Sequence, residues 1–215
     1  MIITSKSLQR SNIAFVFKQE GFVTPENGEF AILYTGEPAK GANFIDDPAM
    51  RLKVYHLPKL KMTFTLEGTR FRIDQDTEDG NLSSAIVAES LNAYKNLFSK
   101  CGLESYGFNF DIIYRFDNTL QLNYLFGLLA NSGKILEKRD LTALGVQFTL
   151  QKPDKSETYF LKIVSPLELV AHINYHFNSN RLPDEQKMKE LFQKNYEEAQ
   201  PMGNSRGKIQ TRPGS

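Results

Sequence analysis

Apolar residues recur along the chain with two spacings, a period of two and a period near 3.6. Leu60, Met62, Phe64 and Leu66 alternate with Lys61, Thr63 and Thr65, and the alternation resumes at Phe71 and Ile73 after Glu67-Gly68. Successive strand side chains point to opposite faces, so this period predicts a half-buried antiparallel hairpin over 60–73. A two-residue X-Gly loop suits it, because primed turns match strand twist. From Asn81 to Cys101 the spacing turns helical, with Val87, Leu91, Tyr94, Phe98 and Cys101 on one stripe. Asp76, Glu78 and Asp79 precede the positive end of that helix, and Gly102 suits a left-handed stop.

Tyr106, Phe108, Phe110, Ile112, Tyr114 and Phe116 then alternate through the clearest strand in the chain. Leu122, Leu125, Phe126 and Leu129 predict a shorter helix ending near Asn131-Ser132-Gly133. Residues 144–178 predict a three-stranded meander. Val146, Phe148 and Leu150 mark its first strand and Tyr159, Leu161 and Ile163 its second; Leu169, Ala171, Ile173, Tyr175 and Phe177 mark its third. A last helix is expected from about Pro183 to Ala199, with Met188, Leu191 and Phe192 on one side.

The first fifty residues are less regular. Ile13–Phe17 and Phe30–Tyr34 read as strands, separated by a loop with Pro25 and Asn27-Gly28. Residues 36–50 have turn composition and predict a long connection or lid; residues 201–215 predict a disordered tail. Antiparallel strands with segregated helices make the fold class α+β: antiparallel sheets from hairpins and a meander, with two or three helices on one face. One domain over 1–200 is expected, and 118–143 is where a subdivision would fall. No long repeat is apparent, although the hairpin, helix and strand have an echo in the meander and final helix.

The chain has 215 residues, 26 basic and 25 acidic, for a net charge of +1. The tail contributes Arg206, Lys208 and Arg212 and no acid, so the first 200 residues carry 23 bases and 25 acids. This balance argues against a strongly basic nucleic-acid coat. A single cysteine, Cys101, excludes an internal disulfide and suits a reducing cytoplasm. The amino terminus lacks a signal-peptide layout, and no stretch nears the roughly 20 apolar residues that span a bilayer. A cytoplasmic chain without membrane contact is expected.

His172, Asn174, His176 and Asn178 occupy the polar phase of the last predicted strand and form a candidate binding surface. On a strand, His172 and His176 stand about 13 Å apart, too far to share one metal ion, and no glutamate follows the first. Asp74-Gln75-Asp76-Thr77-Glu78-Asp79-Gly80 fails the calcium-loop spacing and reads as a solvated turn ahead of the helix. Gly127–Lys134 has one residue too many for a phosphate loop and isoleucine after the lysine. No G-x-G-x-x-G is present, and no cofactor is called for. Cys101 reads as a core residue, Ser105 enters a strand with the wrong spacing for a nucleophile elbow, and His56 sits at a strand end. Lys61, Arg70 and Arg72 are the candidate nucleic-acid contacts, projecting from the polar side of the hairpin.

The amphipathic helix, Gly102, the strand Tyr106–Phe116, the strand His172–Phe177 and a terminal helix with Phe192 together resemble a sporadically distributed family of uncharacterised bacterial proteins. The resemblance spans residues 55–198, and Arg115 stands where that family's strand ends in a polar or basic residue. It implies a bacterial cytosolic setting and an α+β fold, and no mechanism. The leading expectation is a non-enzymatic interaction or assembly protein with a protein partner or a second copy of itself. The alternatives are a nucleic-acid-binding protein using Lys61, Arg70, Arg72 and the basic tail, and a metal-dependent hydrolase using His172 and His176.

Overall fold

The protein is described by a computed structural model covering residues 3–35, 44–77, 80–117, 144–165 and 167–199. Its elements are β1 (Ile3–Phe17), α1 (Asn27–Thr35), β2 (Phe44–Asp47), β3 (Leu52–Leu57), a 3-10 turn (Pro58–Leu60), β4 (Met62–Glu67) and β5 (Arg70–Asp76). There follow α2 (Ala85–Leu97), β6 (Leu103–Phe116), β7 (Leu144–Gln151), β8 (Ser156–Ser165), β9 (Glu168–Phe177) and α3 (Glu185–Glu198). The fold class is α+β, as the patterns predict. All nine strands join one antiparallel sheet in the order β2-β3-β4-β5-β1-β6-β9-β8-β7.

The order is two-fold in outline. β1 and β6 pair at the centre, and each is flanked by the last strand of a three-stranded unit, β3-β4-β5 or β7-β8-β9. A helix follows each unit, α2 and α3, and the two helices touch. The echo of hairpin and helix in the sequence is thus a structural repeat about the β1–β6 seam.

The described helices cover one face. Phe15, Phe17, Phe71 and Phe98 form an aromatic cluster with Phe30 of α1 and Tyr94 of α2. In the other half Phe108 and Phe110 pack on Phe192, and the Tyr114 hydroxyl donates to the carbonyl of Ala199 at 2.9 Å. These residues belong to one continuous cluster of buried side chains. Each fully buried ring contributes about 1.5–3 kcal/mol, which holds the helices to the sheet.

Several local expectations are corrected. Phe30–Tyr34 lies in α1 and not in a strand: the apolar run has no period, and Phe30 buries against Phe71 and Phe98 from a helix. The 36–50 connection contains a strand, β2, paired with β3 from Phe44↔Tyr55 to Asp47↔Leu52; residues 36–43 lie outside the described residues. β1 begins ten residues before Ile13, because the polar stretch Thr4–Asn12 pairs with β6. The hairpin loop is Gly68-Thr69 and not Glu67-Gly68: Glu67 pairs with Arg70, and only Gly68 takes positive φ (58°), a type II′ arrangement. Gly102 is not the left-handed stop of α2, whose last turn closes at Phe98. Pro183 precedes α3, where the Asp184 carboxylate caps the Lys187 N–H at 2.8 Å. The helix expected near 122–129, the glycine-rich 127–134 stretch and the 201–215 tail lie outside the described residues.

Candidate polar face of the sheet

Directly paired residues of an antiparallel sheet point to the same side, so the register reads out which side chains share a face. His56, Thr63, Asp74, Asn12, Asn109, Asn174, Thr158 and Thr149 fall opposite one another in turn, from β3 to β7. The result is one row of polar residues across eight strands, about 34 Å long at 4.8 Å per strand. It lies on the face that no described helix covers.

Hydrogen bonds link neighbouring side chains in three stretches of the row. Asn174 donates from Nδ2 to Asn109 Oδ1, and Asn109 donates from Nδ2 to Asn12 Oδ1 at 2.6 Å. His56 Nδ1 lies 2.9 Å from Thr63 Oγ1, and the Thr149 and Thr158 hydroxyls are 3.0 Å apart. Asn109 and Asn12 are only 3% and 6% exposed, so each amide depends on the other.

Two further rows flank this one. On one side Gln147, Phe160, His172, Asp111, Arg10 and Asp76 stand in register. His172 Nδ1 is 2.5 Å from Asp111 Oδ1 and Arg10 Nε donates to Asp76 Oδ1 at 2.8 Å, so acidic and basic side chains alternate along the row. The Phe160 ring lies over Gly145, 3.0 Å from where a Cβ would stand. On the other side His176, Gly107, Ala14, Arg72 and Thr65 are in register. Between His176 and Arg72, two strands carry nothing larger than a methyl group, which makes a low floor about 14 Å across at 4.8 Å per strand.

The structure therefore brings the two sequence candidates onto one face. His172, Asn174 and His176 on β9 face the same way as Arg70 and Arg72 on β5, with β1 and β6 between them. Asn178 lies just past β9, its Oδ1 2.9 Å from His176 Nε2. Lys61 does not join the arginines at one spot. Its carbonyl accepts from Asp76 N while Arg70 pairs with Glu67, which puts Lys61 and Arg70 at opposite ends of the hairpin, about 20 Å apart by strand rise.

Asp74 is placed differently from the expected solvated turn. It lies within β5, only 7% exposed, with Arg72 Nε donating to its Oδ2 at 2.7 Å. Burial raises its pKa above the ordinary carboxylate value, and the charges of Arg72 and Arg10 only partly oppose that. Its counterpart across the β1–β6 seam is Asn174, paired with Asn109 as Asp74 is with Asn12. One arm of the row thus ends in a carboxylate where the other has an amide. Asn109 and Asp111 each sit singly between apolar residues of a strand, and Asn12 ends a polar stretch, so none stands out in the sequence. Their relation is set by cross-strand register alone.

Cys101 is buried and Ser105 is a buried residue of β6. Among the described residues, no three His, Cys, Asp or Glu side chains gather closely enough to hold a metal ion. His172 and His176 stand on a strand as predicted, each with its own hydrogen-bond partner. A hollow of about 400 Å³ opens between the β1–α1 connection and the β2–β3 hairpin, lined by Phe22, Asp46, Arg51 and Lys53 among others. None of the face candidates lines it. No described helix is long and apolar enough to cross a membrane. Comparison with models of known protein families and with curated proteins gives no match to either.

Proposed function

We propose that the chain is a non-enzymatic interaction or assembly protein that presents the sheet face no described helix covers to a protein partner. The observation that carries this reading is the eight-strand polar row, flanked by His176 and Arg72 over the Gly107–Ala14 floor. Such a surface offers fixed hydrogen-bond donors and acceptors held by neighbours, so little side-chain entropy is lost on docking. A partner side chain entering over Gly107 and Ala14 meets an imidazole at one end and a guanidinium at the other.

The electrostatics favour a protein over a nucleic acid. Arg72 is paired with Asp74, Arg10 with Asp76 and Arg115 with Glu168, each at 2.7–2.8 Å, so three of the four arginines on the face are neutralised within it. A phosphate backbone gains chiefly from unneutralised cations and the counterions they displace. The cytoplasmic setting belongs to the same proposal. Its test is affinity capture from cells of the source, wild type against the His172→Ala/His176→Ala chain. The reading expects a defined partner that the double variant loses while its circular dichroism is unchanged. Equal capture by both chains, or affinity for single-stranded DNA that falls steeply with salt, would sink it.

A further inference from the structure

The two outer strands of the sheet are built on opposite plans. β2 has four residues, Phe44-Ile45-Asp46-Asp47, and its two aspartates guard the edge by charge. A short, charged strand is a poor template for another chain. β7 has eight residues, Leu144-Gly145-Val146-Gln147-Phe148-Thr149-Leu150-Gln151, with no charge and no proline. Phe148 and Leu150 are 38% and 47% exposed, and the Phe148 ring stacks on Tyr159 at 5.0 Å. Among the described residues no strand pairs on its outer side.

We infer that β7 is a self-pairing edge, which joins a second copy of this chain by antiparallel β7–β7 addition across a two-fold axis. Electrostatics favours a second copy as the occupant. A two-fold pairing brings each residue near the middle of the strand close to its own copy, so a charge there meets its like, at a cost in stability. β7 has none to repel. Pairing centred on Phe148 sets Phe148 against Phe148 of the second copy and Leu150 against Val146, which keeps the apolar phase on the helix-bearing side of both sheets. Gln147 then meets Thr149 on the other side, continuing the polar face across the joint. The inference deepens the assembly reading above by naming one partner, and it leaves the face that no described helix covers available to another.

Light scattering on the eluting protein at micromolar concentration tests it. The wild-type chain is expected to be a dimer. The Gln147→Lys/Thr149→Lys chain, which opposes lysines directly across the joint at two exposed positions, is expected to be a monomer with unchanged circular dichroism, and Ile45→Lys on β2 a dimer. Oxidation of a Phe148→Cys chain should give a covalent dimer, because the native Cys101 is buried and does not compete. A monomeric wild type, a double-lysine chain that remains dimeric, or a Phe148→Cys chain that stays uncrosslinked overturns the inference. A monomer that still loses its partner on substitution of His172 and His176 leaves the reading of the polar face intact.

Discussion

Asn109 donates its side-chain amide to Asn12 at 2.6 Å across the central seam of the sheet, where the two three-stranded units meet. The pair joins the halves by side chains on the face that no described helix covers, while the aromatic cores join them on the other. Asn174 extends the chain of amides to the next strand, and Asp74 takes the matching place on the opposite side. The seam is therefore both a structural joint and the middle of the candidate recognition face.

Asn109→Ala leaves the Asn12 oxygen and the Asn174 amide without the partner each has now. We expect it to cost about 1–3 kcal/mol, read as a lowered urea midpoint with unchanged slope. In a double-mutant cycle with Asn12→Ala the loss of the double variant should fall short of the sum of the two single losses by about 1 kcal/mol. Additive losses would mean the amide bond carries no stability.

Asp74→Asn is expected to stabilise. A native pKa raised by burial means the folded state binds the proton more tightly than the unfolded one. This group's contribution is then complete below its ordinary value and is lost as pH rises through the raised native value, so at neutral pH the charged Asp74 weakens the fold. The midpoint of Asp74→Asn should exceed wild type at about pH 7, with the gain gone near about pH 3. A loss at pH 7 would show that the bond from Arg72 outweighs burial.

Lys155 pins α3 to the sheet. Its Nζ donates to Asn195 Oδ1 at 2.6 Å and Glu198 Oε2 at 2.7 Å, lies 3.0 Å from Glu157 Oε1, and sits 4.6 Å over the Tyr175 ring. Glu157 keeps its ion pair with Lys152 when Lys155 is removed, but the Asn195 amide oxygen loses its donor, so Lys155→Ala should cost about 1–3 kcal/mol. Hydrogen exchange across α3 should speed up before that of β6. Burial alone would raise the Glu157 pKa, but hydrogen bonds from Lys152 and Lys155 hold it below the usual carboxylate range. Its contribution is present above the ordinary value and is lost as pH falls, the reverse of Asp74.

Gly107→Val tests the central floor. A Cβ at residue 107 would stand 2.7 Å from the carbonyl oxygen of Tyr175, a backbone atom that cannot swing away. The β6–β9 pairing must open, and a loss of about 1–3 kcal/mol is expected in thermal or chemical unfolding, the range of overpacked cores. Unchanged stability would show that the two strands part freely there.

Much of this architecture is legible in the sequence where one face of a strand is buried and the other polar. β4, β5, β6, β8 and β9 announce themselves by alternation, and α2 by its stripe. The failures have common causes. The α1 run is apolar at every position, so neither period wins, and its helical state is settled by Phe30 docking on Phe71 and Phe98. The first half of β1 has only Ile3 and Leu8 among polar residues, too few to show a period, and is held by pairing with β6. The polar row shows the same limit. His172, Asn174 and His176 could be read from one strand, but Asn12, Asn109 and Asp74 join them only through register between segments far apart in the chain.

The chain's three histidines, His56, His172 and His176, are all on the polar face, so a reagent that acylates imidazole reports on that face alone. The most direct measurement is mass-spectrometric mapping of diethyl pyrocarbonate modification, on the purified chain and on the chain in its captured complex. The account predicts that His172 and His176 react in the free protein and are protected in the complex. Equal modification of both histidines in the two states would contradict it.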